Sequence, residues 1–204
     1  GRDYLDIYYF HHGDYGPNGE YLPGAVEAMN KLVEEGKVRL KGQSAYNAAH
    51  FVDAVPVLEP TVLQSWAHAL DPQFIKPGSP VGNLLAARKM SFVAFSPLKQ
   101  GLLLDKFDPE NPPVFDDGDN RKGNEGFSTE NLRALNSKLA RIKDRFGAEI
   151  EVLSAVAQRY VLNHPNVACV IPGFRNERQV ACNLAAVNRE LSPEDMTFIE
   201  DVLQ

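Results

Sequence analysis

The sequence predicts an α/β protein built on a parallel sheet, part of an eight-stranded (β/α)8 barrel. Three observations predict it. Short apolar runs alternate with amphipathic helical stretches along the 204 residues, as in strands joined by right-handed crossovers. The runs are nearly continuous in apolar residues, as expected of strands covered on both faces. No Gly-x-Gly-x-x-Gly turn follows a strand, which disfavours an open dinucleotide-binding sheet. A complete barrel needs eight strands and typically about 250 residues. The five units read here therefore fit an incomplete barrel, about five βα units plus a C-terminal helix, forming one domain over residues 1–204.

The elements follow in order. Leu5 to Phe10 is short, apolar and aromatic, and reads as a buried strand. Leu22 to Gly36 reads as a helix, with Ala25, Met29, Leu32 and Val33 on one face and Gly36 as its stop. Val38 to Ser44 is a second strand, followed by a short helix from Ala48 to Ala54 that should end before Pro56. Thr61 to Gln64 is a third strand, Val81 to Arg88 a helix, and Ser91 to Phe95 a fourth strand. Lys106 to Gly126 is polar and rich in Pro and Gly, a loop whose length alone suggests a functional lid. Its Asp116, Asp117 and Asp119 make it acidic, which disfavours anionic substrates beside it. Thr129 to Phe146 and Glu149 to Asn163 are amphipathic helices, and Val167 to Ile171 is the fifth strand. Asn176 to Val187 is the next helix. A final helix opens at Ser192-Pro193-Glu194-Asp195, with Ser192 as N-cap and Asp195 placed for a capping box.

Composition narrows the function classes. The net charge is −6 with 44% hydrophobic residues, and the basic residues are scattered singly. That distribution disfavours nucleic-acid binding. Cys169 and Cys182 lie in no metal-type spacing and read as reduced thiols of a cytoplasmic protein. The longest apolar runs fall far short of a membrane span, and no export-type leader is recognised. Gly1-Arg2-Asp3-Tyr4 runs straight into a strand, so a segment preceding Gly1 is expected.

In parallel α/β folds, ligand-binding groups gather at the C-terminal ends of the strands. There the sequence places His11 and His12, Ser44, Gln64, Ser96 and the turn from Pro172 to Asn176. No pair of carboxylates, nucleophile elbow or zinc-type Cys/His set accompanies them. His11 and His12, as neighbours at a strand end, should point to opposite faces and so not share a metal ion.

These residues resemble a known family, the aldo-keto reductases, over essentially the whole chain and in register. Asp3 to His11 is similar to the family's fourth strand, whose final histidine orients and polarises the substrate carbonyl. Gly42-Gln43-Ser44 resembles the approach to the serine–asparagine pair that holds the nicotinamide carboxamide, and Gln64 matches its third partner. Ala94 to Leu98, with Gln100-Gly101-Leu102-Leu103, is similar to the loop whose aromatic ring stacks on nicotinamide and whose backbone follows the pyrophosphate. Val170 to Gly173, Arg175, Gln179 and Asn183 look like the turn and helix that grip the adenosine end. Taken singly, each of these residues has an ordinary structural explanation; the joint placement carries the resemblance.

The resemblance implies a portion of an NAD(P)H-dependent oxidoreductase that reduces aldehydes or ketones. It implies His11 as catalytic residue. The implied cofactor-binding set is Ser44, Gln64, Phe95, Ser96, Leu98, Gln100, Gly101, Ile171, Gly173, Arg175, Gln179 and Asn183. NADP is the expected cofactor, with NAD as the alternative, because Gly173 and Phe174 stand where some members have lysine and serine while Arg175 offers charge for a 2′-phosphate. Ala45 stands in the place of the asparagine, a missing hydrogen bond worth about 0.5–1.5 kcal/mol. Nothing in the chain matches the segments that carry the family's proton-donor tyrosine, lysine and aspartate. The expectation is that this chain alone does not reduce carbonyls. The competing reading is a non-catalytic nucleotide-binding or regulatory fragment that pairs with another chain, or with itself, through open barrel edges.

Overall fold

The structure, a computed structural model, describes residues 1–204. Its five strands are β1 (Leu5–His11), β2 (Val38–Ser44), β3 (Val62–Trp66), β4 (Ser91–Phe95) and β5 (Val167–Ile171). They lie side by side in chain order, so β1 and β5 are the edge strands. The pairs β1–β2, β2–β3 and β3–β4 are parallel. Seven α-helices accompany them: α1 (Leu22–Glu34), α2 (Ala48–Leu58), α3 (Pro80–Arg88), α4 (Thr129–Phe146), α5 (Ile150–Leu162), α6 (Glu177–Ala185) and α7 (Pro193–Leu203). This is the strand–helix alternation of a parallel α/β barrel, of which the chain supplies five strands.

The chain divides into two compact units. The first comprises Gly1–Ala67, Gln73–Phe95 and His164–Cys169. Its core lies between the sheet and the helices α2 and α3, where Phe51, Leu58, Leu63, Leu85 and Phe92 are fully buried. Phe74 locks this layer by meeting Phe51 edge-on at 5.8 Å and Trp66 at 4.9 Å. A second cluster, Phe10, Met29, Val38 and Ala54, seats the apolar face of α1.

The second unit comprises His68–Pro72, Ser96–Asn163 and Val170–Gln204. Helix α5 is its centre, buried along Leu153, Val156, Tyr160 and Val161. Leu132, Leu135, Leu139 and Ile142 form the buried stripe of α4, at the three- and four-residue spacing that puts side chains on one face. The Tyr160 hydroxyl donates to Glu200 at 3.1 Å and accepts from Gln204 at 3.0 Å, which ties α7 to α5.

Strands β2, β4 and β5 have the bounds the sequence predicts, while β1 runs one residue further, to His11. Helix α2 corrects the reading at Pro56, because it continues to Leu58 with the proline inside it. Pro56 forfeits the bond to the Val52 carbonyl, at a residue on the solvent side of the helix, Val52 being 44% exposed. Leu58 is fully buried, and Glu59, left-handed at φ 48°, donates to the Val55 carbonyl at 3.0 Å. Packing of the last turn outweighs the missing bond. Strand β3 begins one residue later than predicted and runs two further, to Trp66, and α6 ends at Ala185 in a tighter turn over Ala186–Asn188. The predicted capping box at Ser192 and Asp195 is present. No helix is long and apolar enough to cross a membrane.

Candidate functional site

In the first unit the strand register assembles a row of polar side chains. His11 is the register partner of Ser44, and Ser44 of Gln64. Register partners in a parallel sheet share a face, so three polar residues stand side by side, His11 and Ser44 ending β1 and β2 and Gln64 midway along β3, about 5 Å apart strand to strand. Gln64 pairs with Val93, and Phe95 lies two residues beyond it on the same face. The expected His11, Ser44, Gln64 and Phe95 are thus brought to one face of the sheet. Ser44 is buried, Gln64 and Phe95 are half-buried, and His11 is exposed.

The row is held from behind. Gln43, on the opposite face and fully buried, donates to the His50 carbonyl at 3.2 Å and so pins the start of α2 to the end of β2. Ala45 donates its N–H to the Gln64 carbonyl at 3.2 Å and accepts the Ser65 hydroxyl at 2.5 Å. Its methyl group is closed off, so the substitution noted in the sequence sits at a fully packed position. Below the row, the Tyr9 ring lies across Gly42, where an added Cβ would come within 2.5 Å of it. Burial, and secondarily the Cys169 thiol, push the Tyr9 hydroxyl up to about 12. Tyr9 on β1 and Cys169 on β5 are therefore electrostatic neighbours although their strands are opposite edges of the sheet.

His12 departs from the expectation that it faces away from His11. It has left the extended conformation, with φ 65°, and its ring centroid lies 3.9 Å from that of His11. The alternation rule applies inside a strand, and His12 is one residue past it. No group of three or more His, Cys, Asp or Glu side chains is placed to hold a metal ion.

In the second unit the expected Ser96, Leu98, Gln100 and Gly101 form a single tight turn. Ser96, Lys99, Gln100 and Gly101 all have positive φ, at 55°, 47°, 56° and 91°. The turn closes through Lys99 N–H to the Ser96 carbonyl at 2.9 Å and Gly101 N–H to the Leu98 carbonyl at 3.0 Å. Non-glycine residues in this region cost about 1–3 kcal/mol each, and such backbone recurs at ligand clamps. Gly101 has a second reason to be glycine: an added Cβ would lie 2.9 Å from Lys106 Cε and 3.1 Å from its Nζ.

That lysine was missed in the sequence. Burial first, and then the positive charges of Arg121 and Arg175, hold the Lys106 ammonium below the ordinary lysine range. Lys106, next to the Gly101 turn, thus lies within electrostatic reach of Arg121 and Arg175. Their positions lie far apart in the chain, so no local motif marks them. Two of the long loop's three named aspartates are paired at the same place. Asp119 is bound by Arg121 through two bonds of 2.9 and 2.6 Å, which hold its carboxyl well below the usual range, and Asp117 pairs with Lys122. The loop has its own core: Phe127 is buried, with Phe107 at 5.2 Å and Phe115 at 4.9 Å edge-on to it. Asn124 donates to the Gln100 side chain at 3.1 Å, fastening the loop's end to the turn.

The turn after β5 carries Ile171, Gly173 and Arg175, all exposed. Asn176 caps α6 by accepting the Gln179 N–H at 2.9 Å. Gln179 in turn accepts the Arg175 N–H at 2.6 Å, and Asn183 donates to the Gly173 carbonyl at 2.9 Å while accepting from Gln158 at 3.3 Å. Gln179 and Asn183 therefore brace the turn's backbone, a structural role the sequence reading did not give them.

A family model, that of the Aldo/keto reductase family, matches residues 1–204. An uncharacterized oxidoreductase of Mycobacterium tuberculosis is 31% identical over 191 residues, covering 91% of this chain and 54% of the relative. An NADH-specific methylglyoxal reductase of Escherichia coli is 25% identical over the full chain and 60% of its own length. A probable voltage-gated potassium channel subunit beta of Arabidopsis thaliana is 27% identical over 99% of this chain and 62% of its own. Among solved structures, the glycerol dehydrogenase AKR11B4 of Gluconobacter oxydans superposes with a TM-score of 0.78 at 20% identity, over 98% of this chain and 59% of that one. The holo form of aldo-keto reductase AKR11C1 of Bacillus halodurans gives 0.70 at 21% identity, over 98% and 59%. The chain thus spans little more than half the length of the proteins it matches.

Proposed function

Because this chain belongs to the aldo/keto reductase family, we propose that it is the cofactor-holding portion of an NADP-dependent carbonyl reductase, with residues 1–204 as one partial barrel domain. The observation that carries the reading is the row His11, Ser44, Gln64 with Phe95 on the same face. Within the first unit the residues present fit a nicotinamide ring. Ser44 and Gln64 offer a hydroxyl and an amide to a carboxamide, and Phe95 offers a ring for a flat heterocycle. The turn from Ser96 to Gly101, with Lys106, Arg121 and Arg175, offers donors and charge to phosphates.

When bound, the cofactor supplies a hydride. His11 donates a hydrogen bond to the carbonyl oxygen and orients it. Ser44 and Gln64 fix the plane of the nicotinamide, and Phe95 keeps water from one side of it. The proton for the product oxygen has no source in this chain of the tyrosine–lysine kind. The chain by itself therefore binds without reducing. Arg175, on the turn after β5, offers charge for a 2′-phosphate and favours NADP over NAD. Two cysteines without a disulfide fit a cytoplasmic setting.

A second reading, a nucleotide-holding regulatory fragment, is favoured by the channel-subunit description of one relative. Titrating NADPH and NADH into the chain and following reduced-nicotinamide fluorescence tests the first. Saturable binding with NADPH tighter is expected; no affinity for either dinucleotide sinks it. Aldehyde turnover by the chain alone would overturn the binding-without-reduction part.

A further inference from the structure

Four rings meet at the C-terminal ends of β1, β2 and β4, and the cofactor reading uses only two of them. His12 stacks on Tyr46 with centroids 5.5 Å apart and planes 24° from parallel. Tyr46 meets Phe95 edge-on, at 5.7 Å and 68°. His12 also meets His11, so the contacts run without a break from Phe95 through Tyr46 and His12 to His11. The two ends of this ladder are the ring assigned to nicotinamide and the histidine assigned to the carbonyl. Tyr46 is 57% exposed, a large share for a tyrosine packed between two other rings. His12 is exposed as well and is held at φ 65°. A bulky residue keeps that backbone only when its surroundings impose it, and such positions cluster at binding sites. Gly13 lets the chain continue from there, since a Cβ on it would strike the His50 ring at 2.4 Å.

We propose that His12 and Tyr46 are specificity-determining residues, selecting carbonyl substrates that carry a planar aromatic or conjugated group. The inference rests on the reading of His11 and Phe95 given above. A group attached to a carbonyl at His11 has His12 as its nearest ring neighbour and Tyr46 next. Flat π-systems gain from offset or edge-on contact with such rings, whereas a saturated chain gains only burial. The difference corresponds to a roughly two- to tenfold preference.

The test uses the full chain and two probes of similar size, benzaldehyde and the saturated ring analogue cyclohexanecarbaldehyde, with binding followed by ligand-observed saturation-transfer NMR. The chain should prefer benzaldehyde by several-fold. Tyr46→Leu and His12→Leu should each abolish most of that preference, and His12→Phe should retain it. Circular dichroism checks that each variant is folded, and a variant that unfolds leaves the decision to His12→Phe and the unmodified chain. Equal affinity for the two aldehydes in the unmodified chain overturns the proposal, as does a preference that survives both leucine variants or is lost in His12→Phe. The NADPH titration separates the two levels. Dinucleotide binding without an aromatic preference sinks this inference alone, and an aromatic preference without dinucleotide binding sinks the cofactor reading instead.

Discussion

Ser44 and Gln64 are register partners on adjacent parallel strands, with Ser44 buried and Gln64 half-buried beside it. One hydroxyl and one amide therefore stand as a fixed pair, and under the proposed cofactor reading they hold the carboxamide together. Replacing either with alanine should weaken NADPH binding about threefold to tenfold, the value of one neutral hydrogen bond. Fluorescence titration of Ser44→Ala, Gln64→Ala and the double variant checks it. Coupling between the two losses is expected, because residues serving one ligand group do not act independently.

Lys106 should matter more for phosphate than Ser44 does for carboxamide. A charge-assisted bond is worth about 1.5–3 kcal/mol, so Lys106→Met should weaken NADPH by roughly tenfold or more. The salt dependence of binding should also become shallower, which a change in packing alone would not produce. Titrations at several ionic strengths decide the matter.

Gly42 should tolerate no side chain. A Cβ there falls 2.5 Å from one Tyr9 ring carbon and 2.6 Å from the next, and the ring is partly buried on β1. Gly42→Ala should destabilise the chain by about 1–3 kcal/mol, the usual range for overpacking. Adding Tyr9→Ala should return part of that loss. Denaturant melts of the single and double variants are the measurement.

His68 gives the chain an acid-sensitive point. Burial first, and Lys99 second, push its imidazole down to about 3, and its Nδ1 accepts the Asp71 N–H at 3.2 Å. The folded state thus holds it neutral, while the unfolded chain protonates it near 6.5. The unfolded state binds more protons below that value, so stability falls with pH from about 6.5 toward 3. The slope from this one group reaches about 1.4 kcal/mol per pH unit. Melts of His68→Gln across that window should show a shallower decline than the unmodified chain; an identical decline rules the assignment out.

The N-cap of α7 offers a smaller effect. Ser192 accepts the Asp195 N–H at 3.1 Å, and Asp195 accepts the Ser192 N–H at 3.0 Å. Ser192→Ala should cost about 1 kcal/mol, the common value for a lost cap. Thermal denaturation would detect it.

Much of the fold was legible in the sequence. Val38–Ser44, Ser91–Phe95 and Val167–Ile171 became strands with those bounds. The reason of burial on both faces holds for Ser91–Phe95, whereas Val167–Ile171 is largely exposed at the sheet edge. The cap at Ser192 was legible because its chemistry is complete within four residues. Pro56 was misread because the burial of Leu58, which overrides the proline, involves packing between distant segments.

The sequence by itself placed polar and aromatic residues at or near the strand ends, and so marked the candidate row of His11, Ser44, Gln64 and Phe95. The tertiary structure decided what stands next to them. Register put Ser44 and Gln64 side by side, a left-handed backbone turned His12 back onto His11, and folding of the long loop brought Lys106 and Arg121 to Arg175. The reason is range: strand ends and caps are set by bonds and burial within a few residues. Ring stacking and charge clustering depend on distances between segments that the linear order does not encode.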